Sequence, residues 1–257
     1  MSEKVLCDVY CNHPVHPFIY PLNPEEHRIL QTVCHKAVYC KSYNPIECKL
    51  SKLYDKLYEF LDAHPTEEYF IRFNKLSPKD AHYFIANDDT DDESMTTETI
   101  SRDLDMLHIK SAQSTQQRVE QCLKVIAHSD RVYCELAFSD TYDMTLLLLD
   151  YRVINHSSET RCFIRGGQLI AISQYYTDLH NVYADTSAVI EKIIQYFSAN
   201  KNLCSLPDYV GDIYFVAETG AVELIELNPY SHDTDPCLFT WDELDGITGA
   251  PVPFRHV

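Results

Sequence analysis

The sequence is poor in glycine and lacks the glycine-rich motifs that many nucleotide-binding proteins use to hold phosphate. Only 6 of the 257 residues are glycine, and no P-loop, G-x-G-x-x-G or G-x-S-x-G motif occurs. These absences argue against a P-loop NTPase, a dinucleotide-binding Rossmann domain and a hydrolase with a nucleophile elbow. A nucleotide would have to be held by side chains between layers of sheet.

Long apolar runs and a disulfide pattern are also missing. No stretch approaches the roughly 18 to 20 apolar residues that a membrane helix needs, and the first residues lack the layout of a secretory signal. The 10 cysteines are too dilute for a disulfide scaffold, and no C-x-x-C pair marks a zinc site. We therefore expect reduced thiols, a cytoplasmic location and no membrane association.

Positive charge is scarce. The chain has 21 Lys and Arg against 39 Asp and Glu, a formal net charge of −18, which would repel a phosphate backbone. The sequence thus predicts no nucleic-acid partner, and a basic protein surface is the natural partner. The alternative is that the charge only maintains solubility, since residues 87–98 form an acidic run typical of a solvated loop.

What is present predicts an α+β fold. Asn23, Pro24 and Glu26 are typical of a helix start, and residues 51–64 have amphipathic helical spacing. Residues 68–74, 131–138 and 144–154 are predicted as strands, followed by two hairpins that flank an amphipathic helix. We place a first lobe at residues 1–138, including the acidic loop, and a second lobe with both hairpins at residues 139–257.

The second hairpin carries an acidic pair. A three- or five-residue loop centred on Thr219 would place Asp212 directly opposite Glu226, with Asn228 two residues on and on the same face. Two facing carboxylates repel by about 3 kcal/mol at ~5 Å and an effective dielectric of ~20, and Mg²⁺ would offset that repulsion. A register slip of one residue would instead leave two solvated acids.

The first hairpin carries two arginines. With Gly166 and Gly167 as a two-residue turn, Arg161 and Arg165 share one face of the strand, where they could grip phosphate oxygens. The alternative is a surface salt bridge between Arg161 and Glu159.

Several segments together resemble the cell division cycle protein 123 family. The similarity is faint at FIYPLNPEE and clear at YFIRFNKLSPKDA (residues 69–81). It continues through LHIKSA (107–112) and ETRCFIRGGQLIAISQYYTD (159–178). It ends with GDIYF and LIELNPYSHDTDPCLFTWDEL (224–244). These segments extend over most of the chain.

The resemblance implies an ATP-grasp-like fold, with two lobes of mixed, largely antiparallel sheets enclosing a nucleotide cleft. It implies that Asp212, Glu226 and Asn228 are magnesium ligands, and that Lys110 and Arg161 reach the phosphates of ATP. Glu226 stands where the family usually has aspartate.

Two further positions depart from the family pattern. Arg72 occupies the place of a first-lobe lysine, and guanidinium and ammonium groups are not interchangeable at a defined site. Leu149 stands where the family has an arginine near the adenine.

The family also implies a function. Its members are ATP-binding chaperones that dock on the third domain of the gamma subunit of translation initiation factor 2 and promote assembly of the factor. Two alternatives remain open at the level of sequence: an ATP-grasp ligase that joins an acyl phosphate to an amine, and a degenerate relative that binds no nucleotide.

Overall fold

A computed structural model describes residues 18–43, 50–86, 106–139, 141–180, 186–217, 219–249 and 251–257. The acidic run at residues 87–98 lies outside these ranges. The chain divides into two compact units, with the boundary between Arg152 and Val153. This boundary falls later than residue 138, because the strand Thr145–Asp150 is built into the sheet of the first unit.

The first unit packs helices against a four-stranded sheet. Its strands are β1 (Phe18–Pro21), β2 (Tyr69–Phe73), β3 (His108–Ile109) and β4 (Thr145–Asp150). They pair antiparallel in the order β1-β4-β2-β3. The helices are α1 (Pro24–Tyr39), α2 (Ser51–Ala63), α3 (Ala81–Ala86), α4 (Thr115–Ala127) and α5 (Asp130–Phe138).

The local signals for α1 and α2 are confirmed. Asn23 caps α1 in a capping box with Glu26, because each side chain accepts a hydrogen bond from the other residue's backbone N–H. The core face of α2 consists of fully buried leucines, while Tyr58 is 40% exposed. These leucines are Leu53, Leu57 and Leu61.

The strand predicted at residues 131–138 is wrong, because this segment is the helix α5. The Ser129 side chain caps it by accepting a hydrogen bond from the Val132 N–H. Val132 and Leu136, four residues apart, are the buried positions. The β-branched and aromatic residues of the segment favoured a strand, but the cap and the four-residue spacing decide the structure.

The second unit is built on a five-stranded sheet. Its strands are β5 (Glu159–Arg165), β6 (Gln168–Gln174), β7 (Tyr209–Val216), β8 (Ala221–Pro229) and β9 (Phe254–Arg255), in the order β8-β7-β5-β6-β9. All pairs are antiparallel except β6 with β9. Its helices are α6 (Thr186–Ala199) and α7 (Trp241–Gly246).

The two faces of this sheet have separate apolar clusters. On one face Cys162, Ile164 and Ile213 pack with Val189, Ile193 and Phe197 of α6. On the other face Phe163 and Val210 pack with Trp241 and Leu244 of α7. Arg161 and Asp212 alternate onto the α7 face.

Mixed helices and two antiparallel-rich sheets confirm the α+β fold class. Within the described part of the chain, no helix is long and apolar enough to cross a membrane.

Candidate functional site

The acidic pair of the second hairpin forms as predicted. Asp212 and Glu226 are Cα partners on β7 and β8, and Asn228 lies two residues beyond Glu226. The loop differs from the prediction, since Val216 pairs with Ala221 and leaves four residues between them. A β-bulge that leaves Ile225 without a partner then restores the register.

The first hairpin turns at Gly166 and Gly167 as predicted, with both glycines at positive φ and Arg165 paired with Gln168. A register shift between Phe163 and Ile164 moves the rest of the ladder by one residue. Arg161 therefore pairs with Ser173 on one side and with Asp212 of β7 on the other.

Arg161 forms a buried, bidentate ion pair with Asp212. Nε donates to Asp212 Oδ1 and Nη2 donates to Asp212 Oδ2, both at 2.8 Å. Asp212 is 0% exposed and Arg161 5%. The alternative partner, Glu159, instead contacts His156 at 3.4 Å between Oε2 and Nδ1. Arg161, Asp212 and Glu226 thus form a transverse row across β5, β7 and β8.

Asn228 links the two carboxylates. Its Nδ2 donates to Asp212 Oδ2 at 2.9 Å and to Glu226 Oε1 at 3.3 Å. Burial raises the pKa of Asp212 above its ordinary value, Arg161 opposes that rise, and Glu226 and Glu159 add to it. The site thus places two carboxyl groups, Asp212 and Glu226, next to one guanidinium, Arg161.

Two further groups surround Arg161. Its Nη1 donates to the carbonyl oxygen of Asp235 at 2.7 Å, and its guanidinium carbon lies 4.7 Å from the centre of the Tyr175 ring. Burial and the carboxylates of Asp212 and Glu226 raise the pKa of Tyr175 well above its usual value, so its phenol is neutral. Sequence reasoning missed both residues. Tyr175 directly follows β6 in the same hairpin as Arg161, so hairpin pairing could have found it, whereas the contact of Asp235 with Arg161 depends on the path of the loop between β8 and α7.

The donor set fits a hard divalent cation. Within the described ranges there is no group of three or more His, Cys, Asp and Glu side chains that could hold a metal ion. A cation here would therefore rely on the carboxylates of Asp212 and Glu226 and the amide oxygen of Asn228. Oxygen ligands of this kind, completed by water and phosphate, suit Mg²⁺. Asn228 would have to turn its amide, which now presents nitrogen to both acids.

Arg165 is engaged elsewhere. Its Nη1 donates to the carbonyl oxygens of Leu244 at 3.1 Å and Asp245 at 3.0 Å, and its Nη2 donates to the carbonyl oxygen of Ile247. These acceptors lie at the C-terminal end of α7, where helix carbonyls lack intrahelical partners. The structure therefore gives Arg165 a helix-capping role.

The other predicted nucleotide residues belong to the first unit. Arg72 lies on β2, is 5% exposed, and donates from Nε to the carbonyl oxygen of Phe73 at 3.0 Å. Its neighbours Ile71 and Phe73 face the core. Lys110 is exposed and directly follows β3, and Leu149 pairs with Phe70.

These features define a class of protein: a two-unit α+β chain with an oxygen-rich candidate cation site and a buried arginine on a five-stranded, largely antiparallel sheet. The D123 family model matches residues 41–255. The chain therefore belongs to the D123 family, and the resemblance to cell division cycle protein 123 is confirmed.

Individual relatives agree with this assignment. A Xenopus tropicalis protein called "Translation initiation factor eIF2 assembly protein" is 31% identical over 179 residues, which is 68% of this chain and 49% of that protein. "Cell division cycle protein 123" of Candida glabrata is 31% identical over 113 residues, 43% of this chain and 32% of that protein. The matched segments span half or less of these relatives.

The fold has a solved counterpart. The structure of Cdc123 from Schizosaccharomyces pombe matches with a TM-score of 0.68 and 17% sequence identity, covering 100% of this chain and 98% of that chain. At this identity the match supports the fold.

Proposed function

We propose that this chain binds ATP and Mg²⁺ and acts in the cytoplasm as an assembly factor for translation initiation factor 2, through the gamma subunit of that factor. The observation that carries the proposal is the pairing of Asp212 with Glu226 beside Asn228. The Arg161 guanidinium balances one of these two facing carboxylates, and a divalent cation would offset the repulsion that remains.

The family assignment supports the assembly role in this proposal. The Xenopus tropicalis relative is named for assembly of eIF2, and the chain shares the D123 family match. We therefore propose an ATP-grasp-like nucleotide site in which Asp212, Glu226 and Asn228 hold Mg²⁺. Bound Mg²⁺ would neutralise charge on the ATP phosphates. Lys110 and Arg72, both in the first unit, are the other nucleotide-binding residues that we propose.

Calorimetric titration with ATP, in the presence and absence of Mg²⁺, tests the nucleotide step. Binding that requires Mg²⁺, without turnover, supports the assembly factor. Turnover that consumes an amine acceptor would identify a ligase instead. An absence of heat at millimolar ATP would identify a relative that binds no nucleotide and would refute the proposal.

A separate experiment tests the partner. Purified gamma subunit of translation initiation factor 2 should be retained by the immobilised chain at low salt, and retention should weaken as salt increases. The reason is that an acidic chain of net charge −18 attracts a basic surface electrostatically. Failure to retain the subunit at low salt would contradict this part of the proposal, while the nucleotide result would stand.

A further inference from the structure

Arg161 directs three of its five N–H donors, including both that face Asp212, to buried partners. Nε and Nη2 are both taken by Asp212, and Nη1 donates to the Asp235 carbonyl oxygen. Its side chain is 6% exposed and that of Asp212 is 0% exposed. Moving the guanidinium towards a ligand would leave the Asp212 carboxylate buried, unpaired and facing Glu226.

We infer that Arg161 is the resident counter-ion of Asp212, and that it opposes the binding of a divalent cation at the same carboxylates. Without a metal, the guanidinium supplies the positive charge that Asp212 needs. A divalent cation that contacts Asp212 and Glu226 must compete with that guanidinium or bind beside it, and both cases lower its affinity. The inference rests on the proposed metal site. Arg161 is a positioning residue in the sense that it holds the Asp212 carboxylate and acts on the metal through it.

The same arginine couples the site to the loop between β8 and α7. Its hydrogen bond to Asp235 fixes a segment in which the Thr234 carbonyl accepts a hydrogen bond from Trp241 Nε1 at 3.0 Å. Trp241 is the only tryptophan in the chain. The indole therefore reports on the loop that Arg161 holds, and Mg²⁺ binding that shifts Arg161 should change its fluorescence.

The test compares melting temperatures in EDTA and in Mg²⁺ for the wild-type chain, Arg161→Met and the double variant Arg161→Met with Asp212→Asn. In EDTA, Arg161→Met should melt roughly 10 °C lower than wild type, because it leaves a buried carboxylate unpaired. Mg²⁺ should then raise its melting temperature by more than it raises that of wild type. The double variant should regain stability in EDTA and show no Mg²⁺ response.

Arg165→Met is the matched control, since it removes an arginine from the same strand and face. It should lower the melting temperature while its Mg²⁺-induced shift stays at the wild-type size. The midpoint of a Mg²⁺ titration followed by calorimetry should fall severalfold in Arg161→Met and stay unchanged in Arg165→Met. The Trp241 fluorescence response to Mg²⁺ should persist in Arg165→Met and be lost in Arg161→Met, because the hydrogen bond to Asp235 is gone.

A Mg²⁺ shift in Arg161→Met equal to or smaller than that of wild type would overturn the inference. So would a double variant no more stable in EDTA than the single variant. If Arg161→Met does not fold in EDTA, Mg²⁺ or the added Asp212→Asn change should restore folding, and failure of both would also overturn it. If wild type itself shows no Mg²⁺ shift, the metal-binding proposal fails, and the EDTA comparison alone decides whether Arg161 is the counter-ion.

Discussion

Asp212 lies directly opposite Glu226 although the turn between their strands contains an even number of residues. Without a bulge, the pairing that starts at Val216 and Ala221 would place Asp212 opposite Ile225. The bulge at Ile225 shifts the register by one residue, so that Asp212 pairs with Glu226. The bulge lies directly beside the acidic pair, as bulges often do near functional sites.

The first prediction concerns Glu226. In metal-free buffer Glu226→Gln should be neutral or stabilising by up to about 1 kcal/mol, because it removes a charge that faces Asp212. It should also abolish the stabilisation by Mg²⁺, which for wild type is about 2.7 kcal/mol at ~100-fold excess over Kd. Thermal unfolding in EDTA and in Mg²⁺ measures both effects.

The control for this prediction is Glu223→Gln, on the same strand but opposite Tyr214, which should retain the Mg²⁺ response. Loss of stability in EDTA together with an intact Mg²⁺ response in Glu226→Gln would show that the acids are not a metal site. Asp212 is less suitable for this test, because Asp212→Asn breaks the buried pair with Arg161.

The second prediction separates Arg165 from the nucleotide. Arg165→Met should lower the free energy of unfolding by about 2 kcal/mol, since carbonyl groups at the end of α7 lose a charged donor. Its affinity for ATP should remain within about twofold of wild type. Urea denaturation and calorimetry measure the two quantities, and a loss of ATP affinity without a loss of stability would return Arg165 to the phosphate site.

The third prediction concerns Arg118 of α4. This arginine is 1% exposed and donates to the carbonyl oxygens of Leu61, His64 and Glu67 at 3.2, 3.0 and 2.6 Å. Arg118→Leu should lower the free energy of unfolding by about 3 kcal/mol, because buried carbonyls lose their donor. The exposed Arg28→Met should change it by less than about 0.5 kcal/mol, and equal effects in the two variants would contradict the prediction.

The fourth prediction is a pH dependence. Hydrogen bonds from Ser111 and His108 lower the pKa of Glu68 below its ordinary value of 4.5. A lowered pKa means that the carboxylate stabilises the fold above about pH 4.5, and that this contribution disappears as the pH falls through the lowered value. The side chain is 39% exposed, so the contribution should be below about 1 kcal/mol.

Urea denaturation of wild type and Glu68→Gln at several pH values measures this effect. The difference in unfolding free energy should be largest near neutral pH and should shrink in acid. A difference that grows as the pH falls would mean that Glu68 contributes through its neutral form.

Local signals in the sequence were sufficient for much of the fold. Asn23 and Glu26 define a helix start from neighbouring atoms alone, and Gly166 and Gly167 define a turn because their positive φ values suit glycine. The segment at residues 131–138 shows the limit of such reasoning, since its residue types favour a strand while the Ser129 cap favours a helix.

The sequence allowed the pairing of Asp212 with Glu226 to be predicted, but not the contact of Arg161 with Asp212. Asp212 and Glu226 belong to one hairpin, so counting residues along the chain almost fixes their pairing. Arg161 reaches Asp212 only because β5 lies beside β7 in the sheet, and no spacing within the sequence encodes that neighbour. Long-range strand order therefore decides whether Arg161 meets Glu159, a phosphate or Asp212.

The position of β4 has a consequence for synthesis on the ribosome. In the first sheet β4 lies between β1 and β2 and is the described strand that pairs with both. A nascent chain that has emerged only as far as α5 already contains both of these strands but has nothing to join them. We therefore expect chaperones that shield unpaired strand edges to stay bound to the nascent chain until Thr145–Asp150 has emerged from the ribosome.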